Sequence, residues 1–467
     1  MIPYIMANRK CAALSLEDCL SAADETEVCV VRENALEEAP EILRDCFGAD
    51  PVCFVVSGGY TYEAAGKRLE EALKSAGLEV RLHVFPPCIH ADYAHVEALS
   101  RLFAASPSER GPLVPVAAGS GTINDVVKRA AFEQGLPYFC AATAASVDGY
   151  TANGAALLYE GFKQTFPCTA PRAVAADTKV LARAPAYLAS SGFGDLAGKI
   201  TAGTDWIIAE KAGRFGAPGA APIDEKAWAM TQSGLMDALN ASADAAKGDC
   251  SALEALFSAL AVTGFAMQYH KSSRPVSSAE HSFSHVWEMD GLTMQDGAPV
   301  THGHKVTIGT LLATAFTELF FADSAGPPET PRGFARPGLP EREAAAAGAF
   351  SRASATARDL VLKTVGEKFM EPERAKQVNA GFLDCWQEIR SAVLERLLPY
   401  GELRALLKRA ACPLAAEAIN LSRTQAIAAA RRAQMIRNKY SVLDLAWDLG
   451  CFETVLAALE DSGQYLR

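Results

Sequence analysis

Leu113-Val-Pro-Val-Ala-Ala-Gly119-Ser-Gly121-Thr-Ile-Asn-Asp125 decides the fold class. An apolar run enters a glycine turn, and an amphipathic pattern over 122–135 follows at once. That is the pattern of strand, tight turn and helix. Toward the N-terminus, 28–31, 52–56 and 80–85 read as strands, and the second ends at Ser57-Gly58-Gly59. Residues 36–47, 62–76 and 95–104 read as the helices between them, and 138–142 is a further short apolar run. This alternation predicts a Rossmann-like, mostly parallel sheet with helices on both faces. Ligands bind such sheets at the carboxyl ends of the strands.

After about Asp177 the texture changes. Residues 227–240, 252–269, 306–321 and 375–398 read as long amphipathic helices, and strand signals nearly vanish. The expected architecture is an α/β domain over 1–180 followed by an all-α domain over 181–467, with the boundary near 178–184. Residues 326–340 are rich in proline and glycine and read as an irregular loop, and 341–350 as a helix.

Composition narrows the function classes. The chain has 467 residues, 50% hydrophobic and 21% charged, ordinary for a globular protein of two domains. A formal net charge of −11 argues against a nucleic-acid partner. No apolar run reaches the roughly 20 residues that span a bilayer, so no membrane insertion is expected. Arg9, Lys10, Glu17 and Asp18 interrupt the N-terminal stretch, which therefore does not read as a signal peptide. Twelve scattered cysteines without a CxxC pair suggest reduced thiols and a cytoplasmic location.

Several motifs can carry chemistry. At Gly119-Ser120-Gly121 a backbone free of side chains could approach a phosphate, and the helix that follows offers its N-terminal N–H groups. The motif is neither GxGxxG nor a P-loop, and a plain tight turn is the other reading. Thr143-Ala-Ala-Ser146-Val-Asp148-Gly-Tyr150 places small polar groups after the next run; Asp148 either meets a substrate hydroxyl or, like Ser146, caps a turn. Ser191-Gly-Phe-Gly-Asp195-Leu-Ala-Gly-Lys199 combines flexible glycines with one carboxylate, whose bland role is a helix cap. Ser277-Ser-Ala-Glu280 matches a capping box and would set His281 in a helical first turn, with His285 on the same face. His302 and His304 follow a polar loop, so four of the eight histidines fall between 281 and 304. Two imidazoles and a carboxylate with an open position make a catalytic metal site, and a neighbouring histidine can relay protons. HExxH is absent, which disfavours a zincin protease.

Taken in order, Gly119-Ser-Gly-Thr-Ile-Asn-Asp125, Ser146-Val-Asp-Gly-Tyr-Thr151, Ser191–Lys199, Glu280-His-Ser-Phe-Ser-His285 and His302-Gly-His-Lys305 resemble the sn-glycerol-1-phosphate dehydrogenases. Met435-Ile-Arg-Asn-Lys-Tyr-Ser-Val-Leu-Asp-Leu445 resembles their bacterial branch. The resemblance covers roughly 27–320 and 395–455 and implies the architecture of the iron-type alcohol dehydrogenases and dehydroquinate synthase. It implies metal ligands at Asp195, His281 and His302, and one divalent ion, Zn, Ni or Fe. It implies NAD or NADP bound by Gly119, Ser120, Gly121, Thr122 and Asp125, with Thr143 and Ser146 near the nicotinamide. Asp148 and His285 become the catalytic side chains, and Lys163, Lys199 and Lys305 are candidates, chosen by charge, for a substrate phosphate. The implied reaction interconverts dihydroxyacetone phosphate and sn-glycerol 1-phosphate in a homodimer or larger homo-oligomer.

The chain also departs from the family. Ser57-Gly58-Gly59 stands where members carry an acidic residue for the adenine ribose, which admits NADP or weakens dinucleotide binding altogether. Thr143-Ala-Ala-Ser146 lacks a proline often found there, and 322–372 is longer than usual. Two alternatives remain: a glycerol dehydrogenase-like enzyme for another small polyol, and a degenerate sensor of nucleotide or metal.

Overall fold

The computed structural model describes residues 13–330 and 334–466, so the reading of Arg9 and Lys10 lies outside the described residues. Among the described residues there are eight strands: β1 Val28–Arg32, β2 Val52–Gly58, β3 Glu79–Phe85, β4 Leu113–Gly119, β5 Phe139–Ala142, β6 Gly154–Tyr159, β7 Phe162–Pro167 and β8 Ala173–Asp177. Six form one sheet in the order β1-β8-β5-β4-β2-β3, and every pair is parallel. All seven residues of β2 are buried, as expected of a strand covered on both faces. One apolar cluster, with Leu43, Leu69 and Val116, fills one face; Val56, Ala117 and Val127 join the larger core on the other.

The order places a topological switch between β2 and β4. From β2 the chain moves outward to β3, whereas from β4 it crosses to β5 on the other side. Connections leaving in opposite directions open a crevice at the carboxyl edge. Ser57-Gly58-Gly59 and Gly119-Ser120-Gly121 flank it. Helix α1, Gly121–Glu133, begins there with Ser120 as its N-cap.

Beyond β8 the chain is helical, and among the described residues only the isolated bridge Thr293–Pro299 has strand character. Helix α2, Ala186–Arg214, is buried around most of its circumference. Around it lie α3 Cys250–His270, α4 Ala279–Met289 and α5 His302–Phe320.

Several expectations change. β8 and the β6–β7 hairpin add strands that the sequence pattern does not signal; the hairpin turns at Glu160-Gly161, both at positive φ (50° and 77°). The pattern over 227–240 divides at Ser233-Gly234 into Glu225–Gln232 and Leu235–Ala241, and that over 375–398 divides at Cys385. The capping box does not form at Ser277. Ser278 is the N-cap of α4, and the Glu280 carboxylate accepts from the Ser278 N–H at 2.7 Å. Asp195 caps nothing, for it sits well inside α2. Cys250–His270, 21 residues at mean hydropathy 1.6, is long and apolar enough to cross a membrane by length and composition alone. Most of it is buried in the core.

The glycines of 191–198 serve close packing rather than flexibility. A Cβ on Gly194 would lie 1.9 Å from Thr307 Oγ1 and 2.7 Å from the Gly303 carbonyl oxygen. A Cβ on Gly303 would lie 1.8 Å from the Ser191 carbonyl oxygen. Helices α2 and α5 therefore meet backbone to backbone, where only hydrogen fits.

Candidate metal centre

That close contact brings Asp195 on α2 beside His302, the first residue of α5. Helix α4 supplies His281 from its first turn. One ligand atom from each of Asp195, His281 and His302 falls within 4.8 Å of the others. His281 Nε2 is 3.5 Å from Asp195 Oδ1, and the two imidazole centroids are 5.3 Å apart. Asp195 is completely enclosed and His281 is only 6% exposed.

Both imidazoles are oriented from behind. His281 Nδ1 lies 2.8 Å from Glu280 Oε1, and His302 Nδ1 lies 3.1 Å from Glu288 Oε1. A carboxylate on Nδ1 fixes the tautomer, turns Nε2 toward the shared space and raises its basicity as a ligand. Burial alone would push the Glu280 and Glu288 carboxyls up. The His281 bond for Glu280, and the Lys305 and Lys163 charges for Glu288, hold them below the usual range instead. A metal fits this set: three convergent donors of the kind divalent ions accept, two already held in the ligating tautomer.

Lys199, one turn after Asp195, is fully enclosed and bridges two carboxylates, 2.8 Å from Asp195 Oδ1 and 2.6 Å from Asp148 Oδ2. Burial disfavours its charge, but the two carboxylates raise its pKa. Lys199 in turn holds Asp195 ionised: burial pushes that carboxyl up, and Lys199 with the two histidines pulls it well down. The Asp148 N–H donates to Asp195 Oδ2 at 2.9 Å. Its short helix, Asp148–Tyr150, is fixed by Lys128 Nζ donating to the Gly149 carbonyl at 2.6 Å.

His285 stands beside the trio, its ring centroid 6.4 Å from those of His281 and His302. Burial, then the Arg437 charge, hold its pKa well below the usual value, so it is neutral. His304 is outside the cluster; its Nε2 meets Ser190 Oγ at 2.7 Å, and burial lowers its pKa to about 4. Lys163 and Lys305 flank Glu288, at 3.8 and 3.0 Å.

At the crevice, the Thr143 N–H donates to the Gly119 carbonyl at 3.1 Å, which joins the loops after β4 and β5. A Cβ on Gly119 would strike the Ile123 side chain at 2.5 Å, and one on Gly121 would reach Val147 at 2.8 Å. The turn therefore stays bare for internal reasons as well. Ser146 is buried, and its carbonyl accepts from Ser191 Oγ at 3.2 Å, which ties this edge of the sheet to α2. Thr122 is half-buried in the first turn of α1. Asp125 accepts from the Ala156 N–H at 3.2 Å. Ser57 points inward, its hydroxyl donating to the Ala118 carbonyl at 2.8 Å, so the turn after β2 presents no carboxylate.

Sequence reasoning missed Glu288 and saw Glu280 only as a cap. The usable signal was the adjacency of Glu280 to His281; nothing marks Glu288.

The family profile described as iron-containing alcohol dehydrogenase matches residues 30–185. A glycerol-1-phosphate dehydrogenase of Bacillus velezensis, named as using NAD(P)+, is 35% identical over 292 residues, 62% of this chain and 71% of its own length. The protein of the same name from Halalkalibacterium halodurans is 33% identical over 288 residues, 60% of this chain and 68% of its own. The crystal structure of glycerol dehydrogenase from Schizosaccharomyces pombe superposes with a TM-score of 0.55 at 16% identity, covering 95% of this chain and 94% of that one. At that identity the likeness speaks for the fold.

Proposed function

The chain belongs to the glycerol-1-phosphate dehydrogenase family, and from that membership we propose that it interconverts dihydroxyacetone phosphate and sn-glycerol 1-phosphate with NAD(P)(H) and one divalent metal ion. The observation that carries the proposal is the Asp195–His281–His302 cluster with a carboxylate behind each imidazole.

In this reading the Asp195 carboxylate and the Nε2 atoms of His281 and His302 hold the ion, which supplies Lewis acidity toward the substrate oxygen. A nicotinamide bound beside it would supply the hydride-transfer chemistry. Helix α1 and the Gly119-Ser120-Gly121 turn receive the pyrophosphate at the switch point, with Thr122 beside it and Thr143 and Ser146 toward the nicotinamide end. Lys199 keeps Asp195 ionised and aims Asp148, whose carboxylate accepts from a substrate hydroxyl. The neutral His285 ring carries one N–H. Its other ring nitrogen is the base: in the alcohol-oxidising direction it takes the hydroxyl proton, directly or through water, and in the ketone-reducing direction the imidazolium, charged from solvent, gives that proton to the substrate oxygen. Enclosed between two carboxylates, Lys199 orients acids rather than a phosphate.

The bare Ser57-Gly58-Gly59 turn offers no charge to repel a 2′-phosphate, so NADPH is accepted alongside NADH. The choice among Zn, Ni and Fe, the division at about residue 180 into two domains, a homodimeric or larger assembly and a cytoplasmic location complete the proposal. Steady-state assays of metal-loaded protein with dihydroxyacetone phosphate, dihydroxyacetone and simple aldehydes, each with NADH and NADPH, test it. A clear preference for the phosphorylated ketone supports the reading, and equal use of dihydroxyacetone refutes it.

A further inference from the structure

Three cations gather at the N-terminal end of α4, and none forms an ion pair with a carboxylate among the described residues. Lys439 Nζ donates to Ser273 Oγ at 2.8 Å, to Ser277 Oγ at 2.9 Å and to the Ser277 carbonyl at 3.1 Å. Arg437 Nη1 and Nη2 reach Ser277 Oγ at 3.4 Å and Ser273 Oγ at 3.2 Å. Arg274, 4% exposed, donates from Nη2 to the Asp205 and Tyr440 carbonyls, and its Nε and Nη1 have no partner.

Neighbouring acids compensate poorly. The Glu280 carboxylate is engaged by His281, the Ser278 N–H and Thr201. Burial and Glu280 push the Asp205 carboxyl up to about 7, which favours its uncharged form. Asp444 is taken by Lys368 at 2.6 Å. Burial and the two arginines hold the Lys439 ammonium well below its ordinary value, the mark of positive charges crowded without an anion. Arg437 and Lys439 are nonetheless half-buried rather than sealed, so a small solute can reach them. By contrast, Lys163, Lys199 and Lys305 all face carboxylates.

The cluster adjoins the reacting groups. Ser277 precedes the helix that carries His281 and His285, and Arg437 exerts the largest charge effect on His285. The irregular stretch bearing Arg437 and Lys439 is clamped from outside by the segment 322–372. Lys368 Nζ donates to the Gln434 carbonyl at 2.6 Å, and the Arg342 guanidinium donates to Gln434 and lies 3.9 Å over the Trp447 ring.

We propose that Arg437 and Lys439, with the hydroxyls of Ser273 and Ser277 and with Arg274 behind them, form the subsite for the substrate's phosphomonoester dianion. The two cations supply charge-assisted donors and the serines adaptable ones, the composition suited to a phosphate. The inference rests on the triose-phosphate reading above and assigns that phosphate to residues outside the three lysines first considered.

The test compares metal-loaded wild type with Lys439→Gln, Arg437→Gln and Ser277→Ala. One readout is the ratio of kcat/KM for dihydroxyacetone phosphate to that for dihydroxyacetone. The other is stabilisation of the protein against heat by inorganic phosphate. Loss of one charge-assisted donor should lower the ratio about 10- to 100-fold in each cation variant and abolish the phosphate stabilisation. Inorganic phosphate should compete with the triose phosphate and not with NADPH; competition with NADPH alone would assign the anion to the coenzyme and overturn the subsite. Variants that keep both the ratio and the phosphate stabilisation, beside a wild type that prefers the phosphorylated ketone, overturn the subsite alone. A wild type without that preference overturns the functional reading, while stabilisation by phosphate confined to the wild type still supports the subsite. Ser277→Ala removes no charge and keeps the test open should a cation variant misfold.

Discussion

Replacing Gly303 by alanine should dismantle the metal centre without touching a ligand. The added Cβ would lie 1.8 Å from the Ser191 carbonyl oxygen, whereas an ordinary contact begins near 3.4 Å. Both partners are helical backbone, so no side chain can swing aside. Relieving the overlap requires α2 and α5 to separate by about 1.5 Å, several times the roughly 0.2 Å tolerance of a metal–ligand distance. Asp195 rides on one helix and His302 on the other. Overpacking of this kind costs about 1–3 kcal/mol. Gly303→Ala should therefore melt a few degrees lower and, after gel filtration, retain a small fraction of the wild-type metal by elemental analysis. Gly366→Ala is the control. It lies in the helix Ala355–Lys368 with nothing within 4 Å of its would-be Cβ, and it should be neutral or gain up to about 1 kcal/mol from helix propensity. Full metal occupancy and an unchanged melting temperature in Gly303→Ala would refute the argument that backbone contact sets the ligand spacing.

Asp195→Ala and His281→Ala should each abolish metal retention while far-UV circular dichroism stays near wild type; a variant with full metal and activity removes that residue from the ligand set. Glu280→Gln, which loses the charge behind His281 Nδ1, should weaken metal binding about 10- to 100-fold in competition with a chromophoric chelator, and an unchanged affinity would count against the backing role. Asp205 gives a pH signature. Its carboxyl stands at about 7 in the folded chain against an ordinary 3.8, so its contribution to stability is full below about pH 4 and is lost as pH rises toward 7. The melting temperature of Asp205→Asn relative to wild type should therefore climb between pH 4.5 and 8 whatever its fixed offset, and a flat difference contradicts the raised value.

The parts of the fold legible in the sequence were those with strong local signals. β2 and β4 announce themselves as apolar runs ending in glycine, because a strand buried on both faces needs unbroken apolar residues. β8, Ala173–Asp177, is mostly alanine and carries little β-propensity of its own; it is a strand because β1 and β5 pair with it on either side. The helix break at Cys385 lies in an uninterrupted amphipathic pattern, where periodicity has nothing to register. In the site, His281, His285 and His302 stood out because histidines are few and these are close together. Asp195 did not stand out, since one carboxylate inside a helical pattern looks the same as a cap. Glu288 looks like any surface glutamate three residues after a histidine, and only the return of α5 beside α4 gives it a role. Arg437 and Lys439 carry no local signal of a task, because the absence of an acidic partner is a property of three dimensions.

The segment 322–372 bears on how this protein can change. Its two helices grip the stretch bearing Arg437 and Lys439 through Lys368 and Arg342, and contribute none of the metal-binding side chains. Reaction and substrate choice therefore rest on different mechanical supports: rigid helices locked at glycines for the first, a strapped turn for the second. A lineage that loosens or re-tensions the strap can shift which alcohol it accepts while its metal chemistry is inherited intact.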